Sequence, residues 1–287
     1  MLRTAGLFLA LLLSIASASA QTQVPADSHL KTIIDKKTMR IAYRTDATPF
    51  AFANDQKQPT GFSVDLCQLV TKSIAHQFGV PDLTIQWVPV TVQTRFSTIS
   101  GNQADLECGS STITLGRMKE VDFSNVIFVE STGVVVARSA NAQSFADMAG
   151  KKIAVISGTT NEQAITRQNE AHKLNLTIVA VKSSDEGIAA LEAGKVDGYA
   201  SDKLLLVGAH LKDPGNYTML PDDLSIESYG IALPRGDWAL RLAVNTGLAE
   251  IYRSGIIVGV FNKWFAQLGL APGALNRAAY ALGSLSD

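Results

Sequence analysis

The run Leu106 to Arg117, LECGSSTITLGR, opens as an apolar strand and breaks at Gly109. It then presents Ser110, Ser111, Thr112 and Thr114 ahead of a lone arginine, Arg117. A guanidinium offers a fixed fork of donors that matches a carboxylate, and hydroxyls both donate and accept. Together these groups suit a clamp for a small anion; taken separately they make an ordinary loop and a solvated arginine. SGTTNEQ (157–163) is a second candidate. A glycine turn opening a helix directs unpaired N–H groups and a positive dipole end at an anion, although the plainer reading is a capped helix. Thr160 is the expected N-cap, with Gln163 three residues on. Asp202, in YASDKLLL, could balance an ammonium group or cap the following helix. Arg44 and Arg95 are further cations near predicted strand ends, and each could equally be a surface residue.

No catalytic set accompanies these residues. The sequence has no G-x-S-x-G elbow, no Ser-His-Asp/Glu motif and no Gly-Lys-Ser/Thr after the glycine turn. Histidines 29, 76, 172 and 210 are far apart, so no metal and no cofactor is expected. Cys67 and Cys108 could form a disulfide in an oxidising compartment or remain two buried thiols. Both readings stand at this point.

Strand-like and helix-like segments alternate around the candidate residues. MRIAYR (39–44), LTIQWVPV (83–90) and ADLECGS (104–110) read as strands, separated by an amphipathic helix over 61–79 and a short helix within 91–103. A second run starts near residue 134. GVVVAR, KKIAVISG (151–158), LTIVAVK and VDGYASD read as strands, with helices over TTNEQAITRQNEAHKL, SDEGIAALEAGK and KLLLVGAHL. After Pro221 come the strand SYGIALP (228–234) and two helices, WALRLAVNTGLAEIYRSG and IIVGVFNKWFAQLG. PGALNRAAYALGSLSD (272–287) reads equally as a tail or a packed helix. This rhythm predicts an α/β protein with parallel strands and helical crossovers. Ligands of open α/β sheets bind beyond the carboxyl ends of the strands, and LECGSST and AVISGTT put hydroxyl-rich turns at such ends, one in each half.

The N-terminal stretch MLRTAGLFLALLLSIASASA has a charged start, a short apolar core and a small-residue end. It reads as a secretory signal peptide over 1–20; the apolar run falls short of the roughly 20 residues that span a bilayer. No cysteine follows the small residues, which argues against a lipid anchor. The 287-residue chain is 46% hydrophobic with a formal charge of −1, so a disordered chain is excluded. The lack of a basic tract argues against nucleic acid as a partner.

GFSVDLCQLV, LECGSSTITLGR, DFSNVIF, ISGTTNEQ and ESYGIALPRGD together resemble exported family-3 solute-binding proteins of ABC importers, within them the glutamate/aspartate binders. The resemblance covers nearly the whole mature chain, with Ser63 standing where an acid is usual. It implies a two-lobe, periplasmic-binding-protein-like fold (type II) with the ligand in the cleft between lobes. Lobe 1 would comprise 27–133 and 229–287, and lobe 2 134–228, with crossings near Glu130–Val134 and Glu227–Gly230. It implies a periplasmic monomer that hands an amino acid to an inner-membrane permease. Arg117 would clamp the α-carboxylate, aided by the Thr160 backbone N–H, while Ser110, Thr112 and Asp202 hold the α-ammonium. Arg44 and Arg95 would face the ligand side chain, which suits a second carboxylate. Acidic binders of this type carry serine where Val92 aligns and histidine where Ser184, the remaining expected site position, aligns. These departures would weaken binding or move the preference toward an amide or another dicarboxylate. Ile231 aligns with the usual disulfide partner of Cys108, leaving Cys67 as its candidate.

Two other readings remain open on sequence. The fold also resembles exported cyclohexadienyl dehydratases, which need a general acid that only Asp202 could supply. A ligand-binding partner of a separate sensor is the third.

Overall fold

The computed structural model describes residues 24–209 and 211–286, so the expected signal peptide lies outside the described residues. From the N-terminal side come α1 (His29–Lys36), β1 (Thr38–Arg44), β2 (Asp46–Ala47), β3 (Ala51–Ala53) and β4 (Pro59–Thr60). Next are α2 (Phe62–Gln77), β5 (Thr84–Val90), α3 (Arg95–Ser100), β6 (Leu106–Glu107) and β7 (Val121–Glu130). The middle of the chain supplies β8 (Thr132–Ala137), β9 (Lys152–Ile156), α4 (Thr160–His172), β10 (Thr177–Val181) and α5 (Ser184–Glu192). There follow β11 (Gly198–Asp202), α6 (Lys203–Val207) and β12 (Tyr217–Met219). The chain ends with β13 (Glu227–Pro234), α7 (Trp238–Arg253), α8 (Ile256–Phe265) and α9 (Ala274–Gly283).

Two five-stranded sheets organise the fold, in the orders β5-β1-β6-β13-β7 and β10-β9-β11-β8-β12, beside a small β2-β3-β4 sheet. Each large sheet has its own core, which makes the protein two-lobed. β1 buries residues on both of its faces, Met39, Ile41 and Tyr43 on one and Ala42 and Arg44 on the other. α2 turns Phe62, Leu66, Val70 and Ile74 inward at helical spacing. Gly61 begins it at φ +132, and a Cβ there would sit 2.2 Å from the Phe50 carbonyl oxygen, so only glycine fits. Phe50 in turn meets Phe128 at 4.9 Å and Tyr229 at 5.1 Å between ring centroids, both edge-on.

Parallel pairing holds for β1 with β5 and β6, and for β9 with β10 and β11. It does not hold for β13, antiparallel to β6 and β7, or for β8, antiparallel to β11. The cause is the double crossing. The chain leaves the first sheet after β7 and returns beside it as β13, so outgoing and incoming strands run in opposite directions. The outward crossing is the single residue Ser131. The return is complete by Glu227, which already pairs with Glu130 in the first sheet. Thr132 and Gly133 likewise pair with Asp202 and Ser201 in the second sheet. α9 resolves the C-terminal ambiguity as a helix: the Asn276 side chain accepts from Val129 N at 2.8 Å and donates to Val129 O at 3.0 Å.

Cys67 on α2 and Cys108 after β6 are joined as a disulfide, which settles the open question of two thiols. Among the described residues no helix is long and apolar enough to cross a membrane.

Candidate functional site

The strand ends set the site. Arg44 closes β1, Arg95 opens α3, Glu107 closes β6 and the loop after it carries Ser110 to Thr112. Facing these from the other lobe, Thr160 opens α4, Ser184 opens α5 and Asp202 closes β11. The lobes lie closed over this interface. The Thr112 and Thr160 hydroxyls meet at 3.3 Å, the Tyr229 hydroxyl donates to Asp202 Oδ2 at 2.5 Å, and Gln93 Nε2 donates to the Lys182 carbonyl at 3.1 Å. Val92, beside Arg95, packs with the second lobe's apolar side chains, including Val181, Ile188 and Tyr199.

Charge is buried at this interface. Arg44 and Arg95 are each 3% exposed, Asp202 4%, and Glu107 0%. Arg117 Nη1 donates to the Thr112 carbonyl at 2.6 Å, which turns the guanidinium back over the hydroxyl loop. Burial, then Arg117 and Arg44 as like charges, pulls Arg95 down to about 9, against the pull of Glu107. Burial also pushes the Glu107 carboxyl up, against Arg95, Ser111, Arg44 and Arg117. Ser111 favours the ionised form, yet neither Glu107 oxygen has a partner at hydrogen-bond geometry. Gly109 makes room for this carboxylate: a Cβ there would lie 2.4 Å from Glu107 Oε1.

Among the described residues, all but one of the buried side-chain groups without a protein partner gather here, the exception being the Tyr280 hydroxyl on α9. Those gathered here are Arg44 Nη2, Arg95 Nε, both Glu107 oxygens, the Ser110 and Ser111 hydroxyls and the Tyr199 hydroxyl. Buried polar groups are normally paired, so such a concentration of donors and acceptors fits a small polar molecule held between the lobes. Asp202, by contrast, is satisfied by Tyr229 and by Asn161 Nδ2, at 2.7 Å from its Oδ1. Burial, and next the charge of Glu227, pushes it up to about 6.

The structure brings Arg44, Arg95, Ser110, Thr112, Arg117, Thr160 and Asp202 to one buried interface. Ser184 sits at its edge, lining a cavity of about 150 Å³ with Asp46, Tyr199 and Ser201. A larger groove of about 820 Å³ runs along α2 past Gln68, Lys72 and His76, on a surface that carries none of the unpaired buried groups.

Two local expectations change. The N-cap of α4 is Thr159, whose hydroxyl accepts from Glu162 N at 3.1 Å, not Thr160. The shift frees the Thr160 side chain to meet Thr112. Asp202 occupies the N-cap position of α6, yet its side chain makes no capping bond, being committed to Asn161 and Tyr229. Sequence reasoning missed Asp46, whose Oδ1 accepts from Arg44 Nε at 2.9 Å. It also missed Glu107, Asn161, Tyr199, Glu227 and Tyr229. A signal existed for some of them: Glu107 is an acid inside an apolar strand, and Asp46 lies two residues from Arg44.

The family "Bacterial extracellular solute-binding proteins, family 3" matches residues 39–267. The glutamate/aspartate import solute-binding protein of Escherichia coli is 30% identical over 260 residues, 90% of this chain and 86% of that protein. The L-glutamate/L-aspartate-binding protein of Pseudomonas aeruginosa is 31% identical over 269 residues, 92% and 89% of the two chains. A solved ancestral amino-acid-binding protein, a precursor of cyclohexadienyl dehydratase, superposes with a TM-score of 0.71 at 26% identity. That match covers 83% of this chain and all of the other. An ancestral arginine-binding protein bound to arginine gives a TM-score of 0.71 at 24% identity over 80% of this chain and 98% of its own. Two lobes closed on unpaired polar groups, and a family match through both lobes, lead to one assignment: this chain belongs to the family-3 bacterial extracellular solute-binding proteins.

Proposed function

We propose that the protein captures an acidic amino acid, glutamate or aspartate, in the periplasm and delivers it to an ABC permease. The observation that carries this reading is the clustering of Arg44, Arg95 and Arg117 with unpaired buried donors between two closed lobes. In the proposed pose, Arg117 and the first N–H groups of α4 hold the α-carboxylate. Asp202, with the Ser110 and Thr112 hydroxyls, receives the α-ammonium. Arg44 and Arg95 lie toward the ligand side chain, and Ser184 borders the far end. Likeness to two glutamate/aspartate-binding proteins supports the acidic preference.

Closure follows from differential affinity. A ligand touching both lobes stabilises only the closed arrangement, which a permease can then distinguish from the open one. Catalysis is not part of this reading: the family is a solute-binding one.

Isothermal titration of refolded, ligand-stripped mature protein with glutamate, aspartate, glutamine and asparagine tests the proposal. Binding of glutamate or aspartate at micromolar Kd or tighter, weakened at least tenfold by Arg44→Ala, is the expected result. Tight binding of a neutral amino acid alone, indifferent to Arg44→Ala, would remove the acidic preference and leave the family role intact. Heat from none of the four would reject amino-acid capture by this cleft.

A further inference from the structure

Arg44 is not a bare cation. Its Nε donates to Asp46 Oδ1 at 2.9 Å, and Nη2 lies 2.8 Å from the same oxygen at an angle that makes no hydrogen bond. The pair is held in place: Arg44 is 3% exposed, and the Asp46 side chain retains 21% exposure. Resting on the proposed amino-acid pocket, we propose that Asp46 sets the distal specificity, narrowing discrimination between an acidic side chain and its uncharged amide. The ligand class then includes glutamine-type as well as glutamate-type side chains.

The argument is a balance of charge and of hydrogen-bonding roles. A second carboxylate reaching Arg44 meets the Asp46 charge as well, and Glu107 lies buried in the same cluster with neither oxygen hydrogen-bonded. Among the described residues Arg95 has no carboxylate within ion-pair distance, and the buried Glu107 is the acid that acts on it most strongly. An ionised carboxylate only accepts; an amide accepts at its oxygen and donates twice from its nitrogen. Arg44 Nη2 and Arg95 Nε supply donors for the amide oxygen. Asp46, Glu107 and the unpaired Tyr199 hydroxyl supply acceptors for its NH₂ group. A pocket holding both kinds of unpaired group narrows the advantage of an acceptor-only ligand over its amide, by repulsion rather than by size, and specificity is a difference between two such affinities.

The test is titration of ligand-stripped wild type and Asp46→Asn with L-glutamate and L-glutamine. Asparagine keeps the shape and an oxygen for Arg44 Nε but removes the charge. Wild type is expected to bind both ligands with Kd values within about tenfold. Asp46→Asn is expected to raise the ratio Kd(Gln)/Kd(Glu) by at least about tenfold, equivalent to about 1.4 kcal/mol. A loss of folded protein would scale both constants alike and leave the ratio untouched, so the ratio separates specificity from stability. Asp46→Ser, which removes the charge and the shape together, should move the ratio in the same direction. Overturning results are a wild type that prefers glutamate more than about a hundredfold, or ratios unchanged in both variants. With wild-type binding intact, either sinks only the role of Asp46; absence of binding by both ligands sinks the acidic pocket as well.

Discussion

Two acids at the junction of the lobes carry shifted protonation. Burial and then Glu227 push Asp202 from 3.8 up to about 6, and burial pushes Glu130 from 4.5 up to about 8. Each is raised in the folded state, so its contribution to stability is complete below about pH 4. It is lost as the pH rises through 6 for Asp202 and through 8 for Glu130. The ligand effect has the opposite sign, because an α-ammonium group needs Asp202 ionised. Thermal melts from about pH 5 to about pH 9 should therefore show the ligand-free Tm falling while the ligand-induced increment grows. Parallel curves with and without ligand would show that Asp202 does not face the ammonium group. Legibility at these positions was uneven. Arg117 and the hydroxyl loop were readable because residue type and order alone suggest a clamp. Glu107 and Asp46 left only a weak signal, an acid inside an apolar strand and an acid two residues from Arg44, because the arginines around them are brought together only by the folded chain.

Among the elements, α9 shows how a helix can complete a sheet. β7 is an edge strand, and an unpaired edge is a liability. Asn276, 7% exposed, satisfies both backbone groups of Val129 with one side-chain amide, while Tyr280 packs on Tyr252 at 5.2 Å. Asn276→Ala should lower unfolding stability by about 1–2 kcal/mol, because it leaves two part-buried backbone groups without their partner. Urea titration measures the loss, and ligand affinity should be unchanged, since Asn276 lies away from the cleft side chains. An unchanged midpoint would mean that water replaces the amide. The segment was ambiguous in sequence because its alanine-rich pattern suits a free tail as well as a helix; the deciding partner, Val129, is distant along the chain. β1, α2, β9 and α4, whose apolar periodicity and glycine turns are local signals, were read within a residue or two. The direction of β8 and β13 was not, because strand orientation follows from the crossing and leaves no mark in either strand.

For the molecule as a whole, closure couples the two lobes through groups that also surround the proposed ligand position. Thr112 donates to Glu227 Oε2 at 2.7 Å and meets Thr160 across the cleft, while Asn161 Nδ2 links Asp202 to Thr132 at the outward crossing. Tyr229, its ring set among Phe50 and Phe128, reaches Asp202 from the opposite lobe. A ligand bridging Arg117 and Asp202 would add to the same bonds, so affinity and closure rise together. The most direct test is isothermal titration of L-glutamate into ligand-stripped wild type and Arg117→Ala, with folding checked by circular dichroism. Micromolar or tighter binding by wild type and a loss of at least about a hundredfold in the variant, the scale of a severed buried charge pair, is the expected result. Equal affinity in a folded variant would contradict a carboxylate clamp at Arg117 and place the ligand elsewhere.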